Sequence, residues 1–191
     1  MSTSRISANR GWANPKALPK GPNGRAICRC GCGREVPKGR QTFFGRECVD
    51  GWKLRTQPGF VRRKLQERDH GVCALCGFDT EKARAELLAM LYGLQATGAA
   101  QYWFAYRHPM LIWPEAPEAR PFIRRCAELG VKPTWHGDSL WQADHIVPVC
   151  EGGGECGLDG YRTLCRRCHD RETAKLAARR AKARRPQREM F

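Results

Sequence analysis

Hydrophobic positions recur at helical spacings in two segments of the chain. In residues 80–95 they follow the three- and four-residue steps of an amphipathic helix, for which Thr80 is a suitable N-cap and Gly98 a suitable stop. Residues 121–129 predict a shorter helix that ends at Gly130. The first helix has the larger apolar face and is expected to supply much of the core. Its apolar positions are Ala83, Leu87, Leu88, Met90, Leu91 and Leu94.

A different pattern begins at Leu140. The run LWQADHIVPV favours an extended segment, and the loop CEGGGECGLDG separates it from the short segment YRTL. A CRRC motif follows, and a long basic helix is predicted from His169 onwards. The order strand, loop, strand, helix predicts an α+β fold built on a small ββα core.

Residues 101–121 combine aromatic residues with prolines, which favours an irregular packed connection over one regular element. The aromatic side chains could stack on unpaired bases, but packing against the central helix is the favoured interpretation. These residues are Tyr102, Trp103, Phe104 and Tyr106. Three histidines, His70, His108 and His136, are interpreted as surface or packing residues rather than ligands.

The charge balance indicates a class of partner. The 191 residues carry 34 Lys and Arg against 19 Asp and Glu, a net charge of +15 with a pI near 9.7. Such an excess favours a polyanion such as nucleic acid over an anionic membrane surface. No segment is apolar over the roughly 18 residues that a membrane span needs, and the first residues lack the apolar centre of a signal peptide. We therefore expect no membrane partner and an intracellular location, in the cytoplasm or nucleoid, or in a nucleus.

The chain contains eleven cysteines, and a reducing intracellular compartment disfavours disulfides as their explanation. Two CxxC pairs, Cys73 with Cys76 and Cys165 with Cys168, supply the four thiolates of a tetrahedral structural Zn²⁺ site. Buried thiols and a redox dithiol are the less favoured alternatives. The spacing therefore predicts that zinc joins two distant segments of the chain.

A second group of cysteines lies near the N-terminus. Cys28, Cys30, Cys32 and Cys48 form a possible second zinc site. Because the C-x-C-x-C spacing is tight, one of the first three could be a spectator or be replaced by another ligand. Few large apolar residues lie among them, so a metal would have to substitute for a core. The cysteines left over are Cys126, Cys150 and Cys156.

Composition divides the chain into segments. Residues 1–27 are rich in Pro, Gly, Asn, Lys and Arg and are predicted to form a flexible basic arm that carries no chemistry. Residues 28–60 contain the first cysteine-rich knuckle. Residues 61–180 form the main domain with a helical insertion at 80–139, and residues 181–191 form a basic tail.

The run LWQADHIVPVCEGGGECGLDGYRTLCRRCHDRETA resembles the motif of HNH endonucleases, the His-Me finger or ββα-metal family. Within that family it is similar to the C-terminal HNH domain of SNF2-type annealing helicases. The similarity extends upstream through FFGRECVDGWKLRTQPGFVRRKLQERDHGVCALC and covers about residues 40–180. The resemblance implies a ββα-metal fold and metal-dependent hydrolysis of phosphodiester bonds.

The resemblance also implies roles for individual residues. His145 would be the general base that takes a proton from the attacking water. Asp144 and His169 would hold one divalent cation, for which Mg²⁺, Mn²⁺ and Ni²⁺ all suit the mixed ligands. The products would carry 5′-phosphate and 3′-hydroxyl ends. Gly160 stands where the family has the middle Asn of H-N-H, so activity is expected to survive but to be weaker, with Asp159 as a substitute for the loop contacts. The Gly160→Asn variant is therefore expected to cleave at least as well as the wild type.

DNA is the expected partner, cleaved by nicking or in a structure-selective way. The residues predicted to contact nucleic acid are Arg166, Arg167, Lys175, Arg179 and Arg180. A helicase or a defence-system protein is a possible partner, because the chain has no motor motif. A non-catalytic zinc protein with a degenerate HNH site, and a nuclease that acts on RNA, are the alternatives. The oligomeric state stays open.

Overall fold

The computed structural model describes residues 13–101, 111–112, 114–135 and 137–188. The four aromatic residues of the predicted connection lie outside the described residues, as do His108, His136 and the two ends of the chain. The chain divides into two compact units. The first unit is Met1–Lys64 with Val147–Gly160, and the second unit is Leu65–Ile146 with Tyr161–Phe191.

The described part of the predicted arm is folded. A short 3-10 helix at Pro15–Ala17 is capped by Asn14, and isolated β-bridges pair Lys20 with Ala26 and Ile27 with Glu35. Leu18, Ala26 and Val36 form a small buried cluster. The prediction of a flexible arm is therefore wrong for residues 13–27, because a few apolar residues spaced along it pack on the knuckle that follows.

Two helices follow the first knuckle. Helix α1 spans Arg46–Thr56 and helix α2 spans Pro58–Asp69. Pro58 opens α2, where its fixed φ is compatible with a helix and its missing N–H costs no intrahelical hydrogen bond. The division between the two units falls within α2.

Helix α3 of the second unit spans Thr80–Ala96, one residue beyond the predicted helix. The N-cap is Asp79 and not Thr80 as predicted, since the Asp79 carboxylate accepts from the backbone N–H of Lys82 at 2.9 Å. Thr80 is fully buried and donates its hydroxyl to the carbonyl of Gly71. Met90, predicted on the apolar face, is exposed instead.

The apolar core of the second unit joins α3 to the segment before the ββα motif. Helix α4 spans Arg120–Leu129 and ends at Gly130, whose φ of 70° is the left-handed conformation of a helix stop. A two-residue strand pair, β1 Ala100–Gln101 and β2 Leu111–Ile112, follows α3. The buried core residues are Ala83, Leu87, Leu91, Leu94, Ala99, Ala100, Ala119, Phe122, Cys126, Trp135 and Leu140.

The ββα motif completes the second unit and confirms the predicted α+β fold class. Strand β3, Trp141–His145, pairs antiparallel with β4, Tyr161–Cys165. Helix α5 spans Arg166–Arg188 and begins three residues before the predicted start at His169. Cys165 ends β4 and the helix begins at once, so one residue of the CRRC motif ends the strand and the other three form the first helical turn. In the part of the chain that the structure describes, no helix is long and apolar enough to cross a membrane.

Candidate metal and active site

Cys73, Cys76, Cys165 and Cys168 lie together in the second unit, with their sulfurs all within 4.8 Å of one another. The Sγ atoms of Cys76 and Cys165 are 3.7 Å apart. A tetrahedral ion with Zn–S bonds of about 2.3 Å places its sulfurs about 3.8 Å apart, so this spacing fits zinc. The structure thus brings together the four residues predicted from the two CxxC pairs, and they could hold a metal.

Backbone hydrogen bonds fix this cluster to the ββα motif. The N–H of Cys73 donates to the carbonyl of Phe78 at 2.9 Å, and the N–H of Gly77 donates to the carbonyl of Cys73 at 2.9 Å. Gly77 has a φ of 69°, which a residue with a Cβ would adopt at a cost. The N–H of Ala74 donates to the carbonyl of Thr163 in β4 at 2.9 Å. The first CxxC turn is therefore tied directly to the strand that leads to the second.

The surroundings of this cluster act on its thiols in opposite directions. The Arg171 guanidinium donates to the Sγ of Cys168 at 3.1 Å. Burial raises the pKa of Cys73, but hydrogen bonds from the backbone of Cys165, Leu75 and Cys76 outweigh it and lower that pKa to about 7. Burial raises the pKa of Cys165 to about 12. Because a metal ligates thiolates, metal binding to this cluster would release protons.

The second predicted cysteine group also assembles, within the first unit. The sulfurs of Cys28, Cys30, Cys32 and Cys48 all lie within 4.8 Å of one another. The Cys28 and Cys30 sulfurs are 3.3 Å apart, and those of Cys32 and Cys48 are 4.0 Å apart. Arg34 donates to the sulfurs of Cys32 and Cys48 at 3.4 and 3.3 Å. All four cysteines lie close enough together to hold one metal ion, and an arginine donates to at least one sulfur of each cluster.

Asp144 lies near the end of β3 in a small ion-pair network. The Arg162 side chain, opposite Asp144 in β4, donates from Nε to Asp144 Oδ2 at 2.8 Å. Its Nη2 donates to Glu172 Oε2 in α5 at 3.3 Å. Asp144, Arg162 and Glu172 are each about a fifth to a quarter exposed. Because Asp144 and the Glu172 carboxylate share one guanidinium, the two carboxylates face the same space between hairpin and helix.

His145 is the last residue of β3 and packs on Tyr161, its partner in β4. The ring centroids are 4.3 Å apart at an angle of 43°. The Nε2 atom of His145 is buried and has no hydrogen-bond partner among the described residues. A buried ring nitrogen without a partner costs free energy unless something else binds it, which marks this atom as a candidate for contact with substrate or water.

His169 lies in the first turns of α5 with its side chain one-third exposed. Its Nδ1 is 3.7 Å from Asp170 Oδ1. Among the described residues, clusters of three or more metal-ligating side chains consist of cysteines alone, so Asp144 and His169 do not belong to one.

A hydrogen-bonded network that the sequence did not predict supports the hairpin. Thr163, fully buried in β4, donates its hydroxyl to Asp69 Oδ2 at 2.7 Å. Arg68 donates to the same carboxylate and, through Nη2, to the carbonyl of Tyr161 at 2.9 Å. The hydrogen bond from Arg68, followed by that from Thr163, holds the pKa of Asp69 below its usual value against the opposing effect of burial. The end of α2 thus holds the strand on which the His145 ring packs.

Gly160 ends a 3-10 turn, Leu158–Gly160, directly before β4. A Cβ atom added there would lie closer than 3.0 Å to the Cβ and Sγ of Cys156. An Asn side chain at position 160 does not fit this space. The structure therefore gives no support to the expectation that Gly160→Asn cleaves at least as well as the wild type. Glycine is the residue that the position accommodates without movement of Cys156.

We expect Gly160→Asn to destabilise the loop by about 1–3 kcal/mol, the usual cost of a side chain forced into filled space. The double variant Gly160→Asn with Cys156→Gly removes the side chain that it meets and should recover most of that loss. Urea unfolding of both variants, with Cys156→Gly alone as the control, measures the difference. A Gly160→Asn variant as stable as the wild type would show that the loop relaxes freely.

The residues predicted to contact nucleic acid lie along α5. Arg166 pairs loosely with Asp170 at 3.8 Å, and Lys175 donates to Glu172 at 2.8 Å. Arg167, Arg179 and Arg180 are exposed. Lys175 therefore contacts the Asp144–Arg162–Glu172 network through Glu172, and the five residues together give α5 a cationic surface.

Sequence comparisons place this arrangement in a family. Residues 124–175 match the model of the HNH endonuclease family. The DNA annealing helicase and endonuclease ZRANB3 of Homo sapiens is 32% identical over 143 residues, which is 75% of this chain and 12% of that protein. The mouse protein of the same name, from Mus musculus, is 31% identical over 144 residues, 75% of this chain and 12% of its own length.

The crystal structure of the human ZRANB3 HNH domain is also similar to this chain, with 30% sequence identity and a TM-score of 0.37. The match covers 66% of this chain and 95% of the solved domain. The chain spans about an eighth of the length of the curated relatives it matches. The matched residues 124–175 contain both strands of the hairpin, the DH pair and the start of α5. By these sequence matches, the chain contains a domain of the HNH endonuclease family that is homologous to the HNH domain of ZRANB3.

Proposed function

We propose that the protein is a metal-dependent DNA endonuclease in which His145 is the general base. The observation that carries this proposal is the buried, unpartnered Nε2 of His145, at the end of the strand that pairs with β4 and next to Asp144. An imidazole in this setting can accept a proton from water. The match to the HNH endonuclease family supports this class of reaction. The similar protein ZRANB3 is named a DNA annealing helicase and endonuclease, which supports DNA as the substrate of this chain.

The chemistry assigned to His145 is one proton transfer. Water attacks the phosphorus atom, its proton passes to the imidazole nitrogen, and the bond from phosphorus to the 3′ oxygen breaks. The departing 3′ oxygen takes a proton from solvent, and the imidazolium returns its proton to solvent. The products are a 5′-phosphate and a 3′-hydroxyl. The tilted packing of the Tyr161 ring, at 4.3 Å between ring centroids, restricts the imidazole while it gains the proton.

Asp144 and His169 fit a divalent cation in donor type, since one offers oxygen and the other nitrogen, and Mg²⁺, Mn²⁺ and Ni²⁺ accept such ligands. We assign Asp144 Oδ1 to the ion, because Oδ2 accepts from Arg162. The ion, when bound, would stabilise negative charge on the phosphate and on the departing oxygen. Arg162 and Glu172 hold the Asp144 carboxylate in place for this role.

The two cysteine clusters are proposed to bind one structural Zn²⁺ each. Sulfur spacings of 3.3 to 4.0 Å and an arginine beside each cluster support this assignment. Four thiolates around one ion form a closed site, which suits a structural and not a catalytic metal.

We further propose that the protein works on DNA inside the cell, with phosphate contacts from Arg166, Arg167, Lys175, Arg179 and Arg180. The relatives are named annealing helicases as well as endonucleases, and this chain spans about an eighth of their length. A helicase or a defence-system protein is the proposed partner for directed movement on DNA, as the helicase activity in the names of these relatives suggests.

A second candidate function is that of a non-catalytic DNA-binding protein. The ion pair between Arg162 and Asp144, 2.8 Å long, favours it, because a protein cation already neutralises the carboxylate assigned to the metal. Under this alternative the zinc clusters and basic surfaces would act in binding alone.

The proposal is tested with an end-labelled DNA duplex that carries a single-stranded branch, incubated with the protein and Mg²⁺, Mn²⁺ or Ni²⁺. We expect cleavage with at least one of these ions and none without added ion. The fragments should be substrates for a ligase, which requires a 5′-phosphate and a 3′-hydroxyl. Fragments that end in 3′-phosphate would contradict the assigned bond cleavage, and DNA binding without cleavage under every condition would favour the binding protein.

A further inference from the structure

A basic concavity lies in the first unit, whereas the five residues predicted to contact DNA belong to helix α5 of the second unit. Its volume is about 360 Å³, and it is lined by residues of the segments 15–26 and 36–41. Five of the lining residues are cations, and none is acidic. They are Lys16, Lys20, Arg25, Lys38 and Arg40, all exposed.

The backbone beneath these cations is held by hydrogen bonds. The N–H of Gly21 donates to the carbonyl of Arg25 at 2.8 Å, which closes a turn with Lys20 and Arg25 at its two ends. The N–H of Val36 donates to the carbonyl of Ala26 at 2.8 Å, so the following strand-like segment lies against this turn. The buried cluster of Leu18, Ala26 and Val36 fixes the two segments to each other.

Lys38 and Arg40 are placed by a second tight turn. The N–H of Arg40 donates to the carbonyl of Pro37 at 3.1 Å, and Gly39 has a φ of 86° that requires glycine. The two cations therefore project from a defined turn and not from an extended chain. The fold holds five positive side chains on two turns around one concave surface.

These cations have few opposing charges. None of the ion pairs found among the described residues involves any of the five. Glu35, which lies near this turn, directs Oε1 to the backbone N–H of Asn23 at 2.8 Å. Like charges gathered around one concavity repel one another, and a polyanion that binds there removes the repulsion.

We propose that this concavity is a second DNA-binding surface that contacts the phosphate backbone of a duplex. Most of the five cations are lysines. A lysine ammonium binds phosphate as a point charge and lacks the planar guanidinium that makes paired hydrogen bonds to a base. Binding to a membrane surface would need exposed large hydrophobic side chains that insert into the lipid. Among the described residues, those that line the concavity include no such side chain. The surface holds DNA whether or not the ββα motif cleaves it, so the inference goes beyond the proposed function.

The test compares two fourfold variants of the full chain. In the first variant, Ala replaces four cations of the concavity: Lys16, Lys20, Lys38 and Arg40. In the control, Ala replaces four exposed cations in α3, in α4 and just after α4: Lys82, Arg120, Arg124 and Lys132. Both variants lose four positive charges. Their affinity for a fluorescein-labelled 30-base-pair duplex is measured by anisotropy from 50 to 300 mM KCl, without added divalent ion.

Each phosphate contact contributes about 0.9 to the slope of log K against log salt concentration. We expect the first variant to lower this slope by about 3 to 4 and the control to change it by less than about 1. An unchanged slope in the first variant, or equal losses in both, would overturn the proposal. If the fourfold variant loses zinc, the Lys20→Ala, Lys38→Ala variant gives the same test with an expected decrease of about 2.

Because no cleavage is measured, the result is independent of the nuclease assignment. The same variants are also tested on vesicles of phosphatidylglycerol. Loss of vesicle binding with an unchanged DNA slope would assign the surface to anionic lipid and overturn the proposal.

Discussion

Replacing Cys165 by Ser is expected to release one zinc ion per chain and to unfold the second unit. Structural zinc sites contribute about 10–16 kcal/mol of apparent binding free energy to folding in zinc-finger peptides, which exceeds the usual stability of a small domain. Apart from the cysteines, the buried cluster around this site contains one buried residue, Leu164, with Phe78 partly buried against it. The metal is therefore expected to replace a hydrophobic core at this point.

The position of the site in the chain increases the effect. The site joins Cys76 to Cys165 across 88 intervening residues, so without it the ends of a long loop must be held by other contacts. The first CxxC turn also bonds to β4 through Ala74 and Thr163, so its loss would loosen the strand that pairs with the DH segment.

Zinc content by mass spectrometry and thermal unfolding measure this prediction. The wild type should contain two zinc ions per chain, and Cys165→Ser should contain one and lose its cooperative transition. Cys150→Ser is the matched control, because Cys150 is exposed and belongs to neither cluster. A Cys165→Ser protein that keeps two zinc ions and its melting temperature would refute a structural role for this cluster.

His145→Asn is expected to lower the rate of DNA cleavage by about 10²- to 10⁴-fold, the usual contribution of a general base. The Asn side chain keeps a polar group beside Tyr161 but has no nitrogen that can take a proton from water. DNA affinity should stay unchanged, because the side chain adds no positive charge that holds phosphate.

Single-turnover cleavage of the labelled duplex, at matched zinc content, measures the rate. His70→Asn is the control, since His70 is an exposed histidine in the same unit and Asn tolerates its φ of 51°. A cleavage rate in His145→Asn within a few fold of the wild type would remove His145 from the role of base. An equal loss in His70→Asn would point to a general effect of the substitution.

The sequence predicted the parts of the molecule that depend on local spacing. Two thiolates in a CxxC turn must lie close together, so four cysteines in two such turns were sufficient to predict the cluster of Cys73, Cys76, Cys165 and Cys168. The stop at Gly130 and the hairpin partners also followed from local pattern. The start of α5 did not follow from the pattern, because a CxxC motif predicts a turn, whereas three residues of CRRC are helical.

The parts that the sequence did not predict depend on long-range contacts. Arg162 joins Asp144 to Glu172 across three elements, and Asp69 meets Thr163 across 94 residues. Nothing in the spacing of Arg and Asp distinguishes these charges from solvated ones. The basic concavity likewise forms only because two turns of the folded arm and knuckle lie side by side.

The most direct measurement is the conversion of supercoiled plasmid to nicked or linear DNA by wild-type and His145→Asn proteins of equal zinc content, with and without added Mn²⁺ or Mg²⁺. We expect the wild type to cleave only with added ion and His145→Asn to leave the plasmid supercoiled while binding it as tightly. Cleavage by both proteins at similar rates, or by neither, would contradict the assignment of the His145 site as a metal-dependent nuclease.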